Sequence, residues 1–161
     1  MYCGSKEDQD KYIDTLVKEN RKAAQLFPSV RKVLENFDGK VYNIRLQRAI
    51  QEETGDHIYT EERYNRVYIY IYGTAGRQYT IAALDREDME DGKRINAKKM
   101  IESAREYRES HLKKAYQLEQ QAAQIITIKE QVKQIEQLLK SVTCKLDYEI
   151  RDIYGIPSRL A

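Results

Sequence analysis

The side chains that most often do chemistry are scarce in this chain: two histidines, His57 and His111, and two cysteines, Cys3 and Cys144. A His-Glu-x-x-His site needs two imidazoles one helical turn apart, so that both reach one ion. A structural zinc site needs paired Cys or His at short spacing. Neither histidine has such a neighbour, and no Cys-x-x-Cys occurs. His111 falls on the apolar stripe of a helical segment, where packing or partial exposure is its expected role. Gly73-Thr74-Ala75-Gly76-Arg77 lacks the Gly-Lys-Ser/Thr end of a phosphate-binding loop, so it reads as a turn. No Gly-x-Ser-x-Gly nucleophile motif is present.

The acidic run Asp85-Arg86-Glu87-Asp88-Met89-Glu90-Asp91-Gly92 has the composition of a calcium loop but not its register. With Gly92 at loop position six, Met89 takes position three and Lys98 position twelve, and neither is an oxygen ligand. The run reads as a solvated acidic linker. The expectation is a non-enzymatic protein with no catalytic residues, no metal and no cofactor.

Residues suited to making contacts are more abundant. Tyrosine is the unusual count, 13 against two Phe and no Trp. Tyr68, Tyr70 and Tyr72 alternate with Val67, Ile69 and Ile71, which puts an aromatic row on one face of a strand and an aliphatic row on the other. Arg63, Arg66 and Arg77 are close in sequence. Such a face can stack bases and hold phosphates, or serve as a protein-binding patch, or simply satisfy strand propensity. Lys93, Arg94, Lys98, Lys99, Arg105, Arg108, Lys113 and Lys114 form a basic stretch with only three acidic residues among them. It suits phosphate or an acidic protein surface, against the plain reading of a solvated helix face.

The elements that must carry these residues follow from periodicity. Tyr12, Ile13, Leu16, Val17, Ala23, Ala24 and Phe27 have helical spacing after a Ser5/Asp8 capping signal. Pro28 should end that helix and start another that buries Val30, Val33, Leu34 and Phe37, with a stop at Asp38-Gly39. Residues 40–55 carry both helical and alternating patterns; the preferred reading is a helix from Asn43 to Thr54 with Gly55 after it. Val67–Tyr72 and Gln78–Leu84 read as a hairpin joined at residues 73–76, with His57-Ile58-Tyr59 as a third strand.

From Ile95 to Tyr154 there is no Gly or Pro, with Asn96 as the N-cap and Gly155-Ile156-Pro157 as the stop. Within this helix Ile125, Ile128, Val132, Ile135, Leu139, Val142 and Leu146 are spaced alternately three and four, an a/d heptad seam. The flanking Gln124, Gln131, Leu138 and Lys145 against Lys129, Glu136 and Thr143 give no charge code for a parallel dimer, and Leu138 widens the stripe. Such a face fits a bundle or partner helices, including a homo-oligomer. The expected fold class is α+β: N-terminal helices on a small antiparallel hairpin or three-stranded sheet, then a long coiled-coil-like helix. The expected division is a globular part, 1–92, and a helical part, 93–161.

Charged residues are 34% of the chain and apolar ones 41%, a high surface-to-core ratio, yet Ile, Leu, Val and Tyr are too plentiful for a disordered chain. The net charge is +2. The polar N-terminus, the two well-separated cysteines and the lack of a long apolar run lead to the expectation of a cytoplasmic protein with no membrane partner.

A charged helix pair (Lys11 to Phe37), a Tyr/Ile hairpin (Val67 to Leu84) and a long Gln/Lys-rich helix resemble, in overall style along the chain, small accessory proteins of phages and mobile elements of the anti-CRISPR kind. The resemblance implies a non-catalytic inhibitor that contacts a larger protein or ribonucleoprotein, a host CRISPR nuclease. Near-neutral charge sets it apart from strongly acidic DNA mimics. The alternative is a nucleic-acid-binding accessory protein that uses the basic helix and the tyrosine face.

Overall fold

The computed structural model describes residues 6–37, 43–89 and 94–154. Helix α1, Lys6–Gln25, turns Val17, Asn20, Ala23 and Ala24 inward. Pro28 cannot extend the α1 hydrogen-bond ladder but suits a helix start, and α2 runs Phe27–Glu35 with that proline in its first turn. Phe27, Val30 and Leu34 are buried on one side of it. Helix α3 is Asn43–Thr54, as the heavier of its two sequence patterns predicts. Gly55 follows at φ +71° and returns its N–H to Gln51 O at 2.8 Å, a stop that only a residue at ease in the left-handed region makes cheaply.

Strand β1 is Tyr59–Arg63, not the expected 57–59. The turn sets the difference: Tyr64 and Asn65 both have positive φ, 52° and 58°, and form a two-residue hairpin loop whose twist matches the strands. That loop places Arg63 opposite Arg66 and Tyr59 opposite Tyr70. Ile58 precedes the strand as a fully buried core residue. Strands β2, Arg66–Tyr72, and β3, Gln78–Asp85, complete an antiparallel sheet of order β1-β2-β3. A tight turn over Thr74–Gly76 joins the last two strands. The β2–β3 register shifts at Ile69/Tyr70, leaving Ile81 as the extra residue. This bulge changes the phase of alternation, so that Tyr79 and Ile81 before it and Ala82 and Leu84 after it all belong to the core.

Helix α4 is Ala97–Tyr154. Asn96 caps it, its Oδ1 accepting from the Lys99 N–H at 3.2 Å. Met100 and Ala104 enter the main core with residues of α2, α3 and the sheet. A second, smaller cluster joins Ala115 and Leu118 to Val17, with Ile13 and Leu16 beside it. The architecture is therefore α+β, helices and a three-stranded antiparallel sheet with a long helix at the C-terminal end.

The chain divides into two compact units, Met1–Glu119 and Gln120–Ala161. The first turns of α4 thus belong to the first unit, which reaches beyond residue 92. The Ser5 cap, the Asp38-Gly39 stop, the Gly155-Ile156-Pro157 stop, Gly92, Lys93 and Cys3 lie outside the described residues.

Candidate interaction surfaces

The heptad seam lies in the second unit. Ile128, Val132, Ile135, Leu139, Val142 and Leu146 are between 48% and 61% exposed, and Leu138 beside them is 65% exposed. Ile125 is half-buried. No described residue between 120 and 150 is buried. Helical geometry alone aligns these side chains, because spacings of three and four return to one side of a 3.6-residue turn. The result is a continuous aliphatic row whose described side chains are mostly exposed.

The tyrosine face is largely self-satisfied. Tyr59 stacks on Tyr70 with ring centroids 5.7 Å apart, and Tyr72 meets the two edge-on at 4.8 and 5.3 Å. Tyr70 is buried by its neighbours. The Tyr72 hydroxyl beside it, together with burial, pushes the Tyr70 phenol up to about 12. Tyr68 lies apart from this trio, with the Arg63 and Arg66 guanidiniums each 5.7 Å from its ring centre. Tyr72 and Tyr59 keep substantial exposure, whereas the Tyr70 ring has little surface left for a base or a partner side chain.

The structure does not gather the basic stretch into one patch. Lys98, Arg105, Lys113 and Lys114 are exposed on α4, as is Arg94 ahead of it. Lys98 and Arg105 share a helix face with Glu102 and Glu109, which alternate with them at spacings of three and four. Lys99 is paired with Asp88 at 2.5 Å, a bond that raises the ammonium's pKa. The Arg108 guanidinium lies 5.3 Å from the Phe27 ring centre. At about 100° per residue, Lys114 falls nearly opposite Lys98. A sequence excess of positive charge thus becomes a mixed helical surface.

Several chemically capable residues, among them His111 on its helical stripe, serve as joints between elements. His111 places Nε2 at 2.6 Å from the carbonyl oxygen of Thr80. A carbonyl only accepts, so Nε2 carries the proton. The other ring nitrogen, Nδ1, faces Asn20 Oδ1 at 3.2 Å, while Asn20 Nδ2 donates to Leu16 O at 2.8 Å. On the same side of the sheet the Ala83 N–H donates to Ser103 Oγ at 3.0 Å. Two polar residues of α4 thereby occupy backbone groups on the outer edge of β3, which would otherwise be open to another strand.

Glu19 forms the second joint. It accepts from the Thr74 N–H and from the Tyr79 hydroxyl, both at 2.6 Å, and so ties α1 to the β2–β3 turn. Partial burial would raise this carboxyl; the bonds from Thr74 and Tyr79 and the charge of Arg77 outweigh it, and its pKa is lowered. Tyr79 moves the opposite way, raised by burial and by donating to Glu19. Arg77 also donates to the Tyr12 hydroxyl and lies 4.9 Å from that ring centre. The sequence signal for the first joint was available: Asn20 and His111 are polar residues at apolar positions of two helices. The second had none, because Glu19 and Tyr79 look like ordinary surface and strand residues.

Among the described residues no group of three or more His, Cys, Asp or Glu side chains is placed to hold a metal ion. No described helix is long and apolar enough to cross a membrane. The chain matches no protein-family model, no curated protein and no solved structure.

Proposed function

We propose that this protein is a non-catalytic interaction protein, and that the α4 seam between residues 125 and 146 is its protein-contact surface. The observation that carries this reading is the exposure of six successive a/d positions, all Ile, Val or Leu, on a helix whose other positions are mostly polar. Apolar surface left in water forgoes about 25 cal/mol per Å² of stabilisation, and a row of this extent marks a contact site more often than a bare face. The use of His111, Asn20, Glu19 and Tyr79 as joints within the fold is further support, since these side chains are occupied in holding elements together.

The partner class we propose is a larger protein or ribonucleoprotein. The particular form of the proposal is a mobile-element-encoded inhibitor of a host CRISPR nuclease, and it rests on the resemblance in overall style described above. The test adds the purified protein to a guide-loaded CRISPR nuclease and follows target cleavage. The expected result is that cleavage falls with the wild type and with Gln134→Asp, and persists with Ile135→Asp. Loss of inhibition in both variants, or in neither, removes the seam from the function. Full cleavage with the wild type across the nucleases of the host removes the CRISPR reading.

A further inference from the structure

The structure assigns the seam a specific occupant: we propose that a second copy of this chain docks on residues 125–146 in antiparallel orientation. This rests on the reading of the seam as a contact surface and names what covers it. A larger partner then meets the paired helices rather than the seam.

Orientation follows from the seam's own residues. In a parallel pair each a position meets its equivalent, as does each d, and g packs beside the following e. The three d positions here are Ile128, Ile135 and Val142, all β-branched, whereas parallel two-stranded coils favour leucine at d. The parallel flanking pairs would be Gln124 with Lys129 and Gln131 with Glu136, which bring no opposite charges together. In an antiparallel pair each a layer meets a d layer, and e positions flank e positions.

Register then follows from charge. With the two-fold axis between Lys133 and Gln134, Ile125 meets Val142 of the second copy, Ile128 meets Leu139, and Val132 meets Ile135. These six residues find an apolar partner, twice over by symmetry, and Leu146 falls opposite Gln121. The same register sets Lys129 beside Glu136 of the second copy at both ends of the dyad. A shift of one heptad in one direction sets Glu136 against its own equivalent and Ile125 against Glu149. A shift in the other direction sets Lys129 against its own equivalent and Leu139 against Gln121. The first shift also keeps six seam residues in apolar pairs, so it is the opposite charges of Lys129 and Glu136 that select the middle register.

The test uses the full chain. Sedimentation equilibrium should give a dimer for the wild type and a monomer for Ile135→Asp; a monomeric, trimeric or tetrameric wild type overturns the proposal. Glu136→Lys should weaken the dimer about tenfold, because two attractive flanks become repulsive, and Lys129→Glu/Glu136→Lys should restore it. Failure of the double swap to restore the dimer overturns the register. A spin label at Ser141→Cys, with Cys3 and Cys144 replaced by Ser, reads orientation. The antiparallel register separates the two labels axially by about 22 Å at ~1.5 Å per residue, and a parallel pair gives no axial offset. The parallel result overturns the proposal. Circular dichroism and the melting of each variant show that it is folded. A monomeric wild type whose cleavage inhibition is still lost in Ile135→Asp overturns the second copy alone; indifference of every association measurement to Ile135→Asp overturns the contact surface itself.

Discussion

His111 Nε2 donates to the carbonyl oxygen of Thr80 at 2.6 Å, which brings a helix side chain onto the outer edge of the sheet. With Ser103 accepting from the Ala83 N–H, this bond makes the start of α4 the cover of strand β3. Edge strands that lack such cover offer their backbone to other chains.

Removing this cover should be costly. His111→Ala leaves the Thr80 carbonyl without this donor, and should lower unfolding free energy by about 1–3 kcal/mol. Ser103→Ala should cost about 1 kcal/mol. Urea denaturation checks both. Light scattering should show that the His111 variant aggregates more readily than an equally destabilised core variant.

The Glu19–Tyr79 bond makes stability depend on pH at both ends. The folded-state pKa of Glu19 is depressed, so its contribution is present above the ordinary value of 4.5 and is lost as pH falls through the folded value. The Tyr79 pKa is raised, so its contribution is full below 10.0 and is lost as pH rises through the folded value. In melting curves against pH, Tyr79→Phe should flatten the alkaline limb and Glu19→Gln the acid limb.

Gly73 sits where α1 meets the β2–β3 turn. A Cβ there would lie 2.4 Å from Glu19 Oε2 and 2.6 Å from Tyr79 Cε2, so Gly73→Ala must push the turn off α1. A loss of about 1–3 kcal/mol is expected, as for other overpacked sites. In Glu19→Ala/Gly73→Ala the loss should be less than the sum of the single losses, and a double-mutant cycle measures the difference.

The tyrosine and basic surfaces separate cleanly by mutation. Tyr70→Ala removes a buried ring from the three-tyrosine cluster and should cost about 2–4 kcal/mol in thermal unfolding. Lys98→Glu with Arg105→Glu changes exposed side chains and should leave stability within about 0.5 kcal/mol. If nucleic acid is the partner, the charge reversal should weaken binding, and most strongly at low salt.

The seam gives a paired comparison. Ile135 is exposed in the single chain, so Ile135→Asp should leave the melting of the first unit unchanged while abolishing concentration-dependent association. Gln134→Asp, off the seam, should leave both the melting and the association unchanged. Equal association of the two variants in sedimentation runs would count against the seam.

Much of this fold was legible because the determining forces are local. Pro28, the Thr54–Gly55 stop, the alternation of Val67–Tyr72 and the Asn96 cap each act within a few residues, and each element forms where they indicate. The seam was legible for the same reason, since its residues are aligned by one helix. The β1 strand was misplaced because its register is set by positive φ at Tyr64 and Asn65, which a tyrosine does not advertise. A charge count does not show how the basic stretch is laid out in space: coiling the segment into a helix mixes Glu102 and Glu109 into the face that carries Lys98 and Arg105.

The sequence by itself determined the kinds of element, their order and the aliphatic row from Ile125 to Leu146, since turn residues and periodicity are properties of neighbours along the chain. Only the tertiary structure decided that His111 closes the sheet edge, that Glu19 holds the β2–β3 turn, that the three tyrosines pack on one another, and that the first turns of α4 belong to the core. Those relationships join residues distant in sequence. They exist because packing brings a donor and an acceptor, or two apolar faces, within a few ångströms of each other.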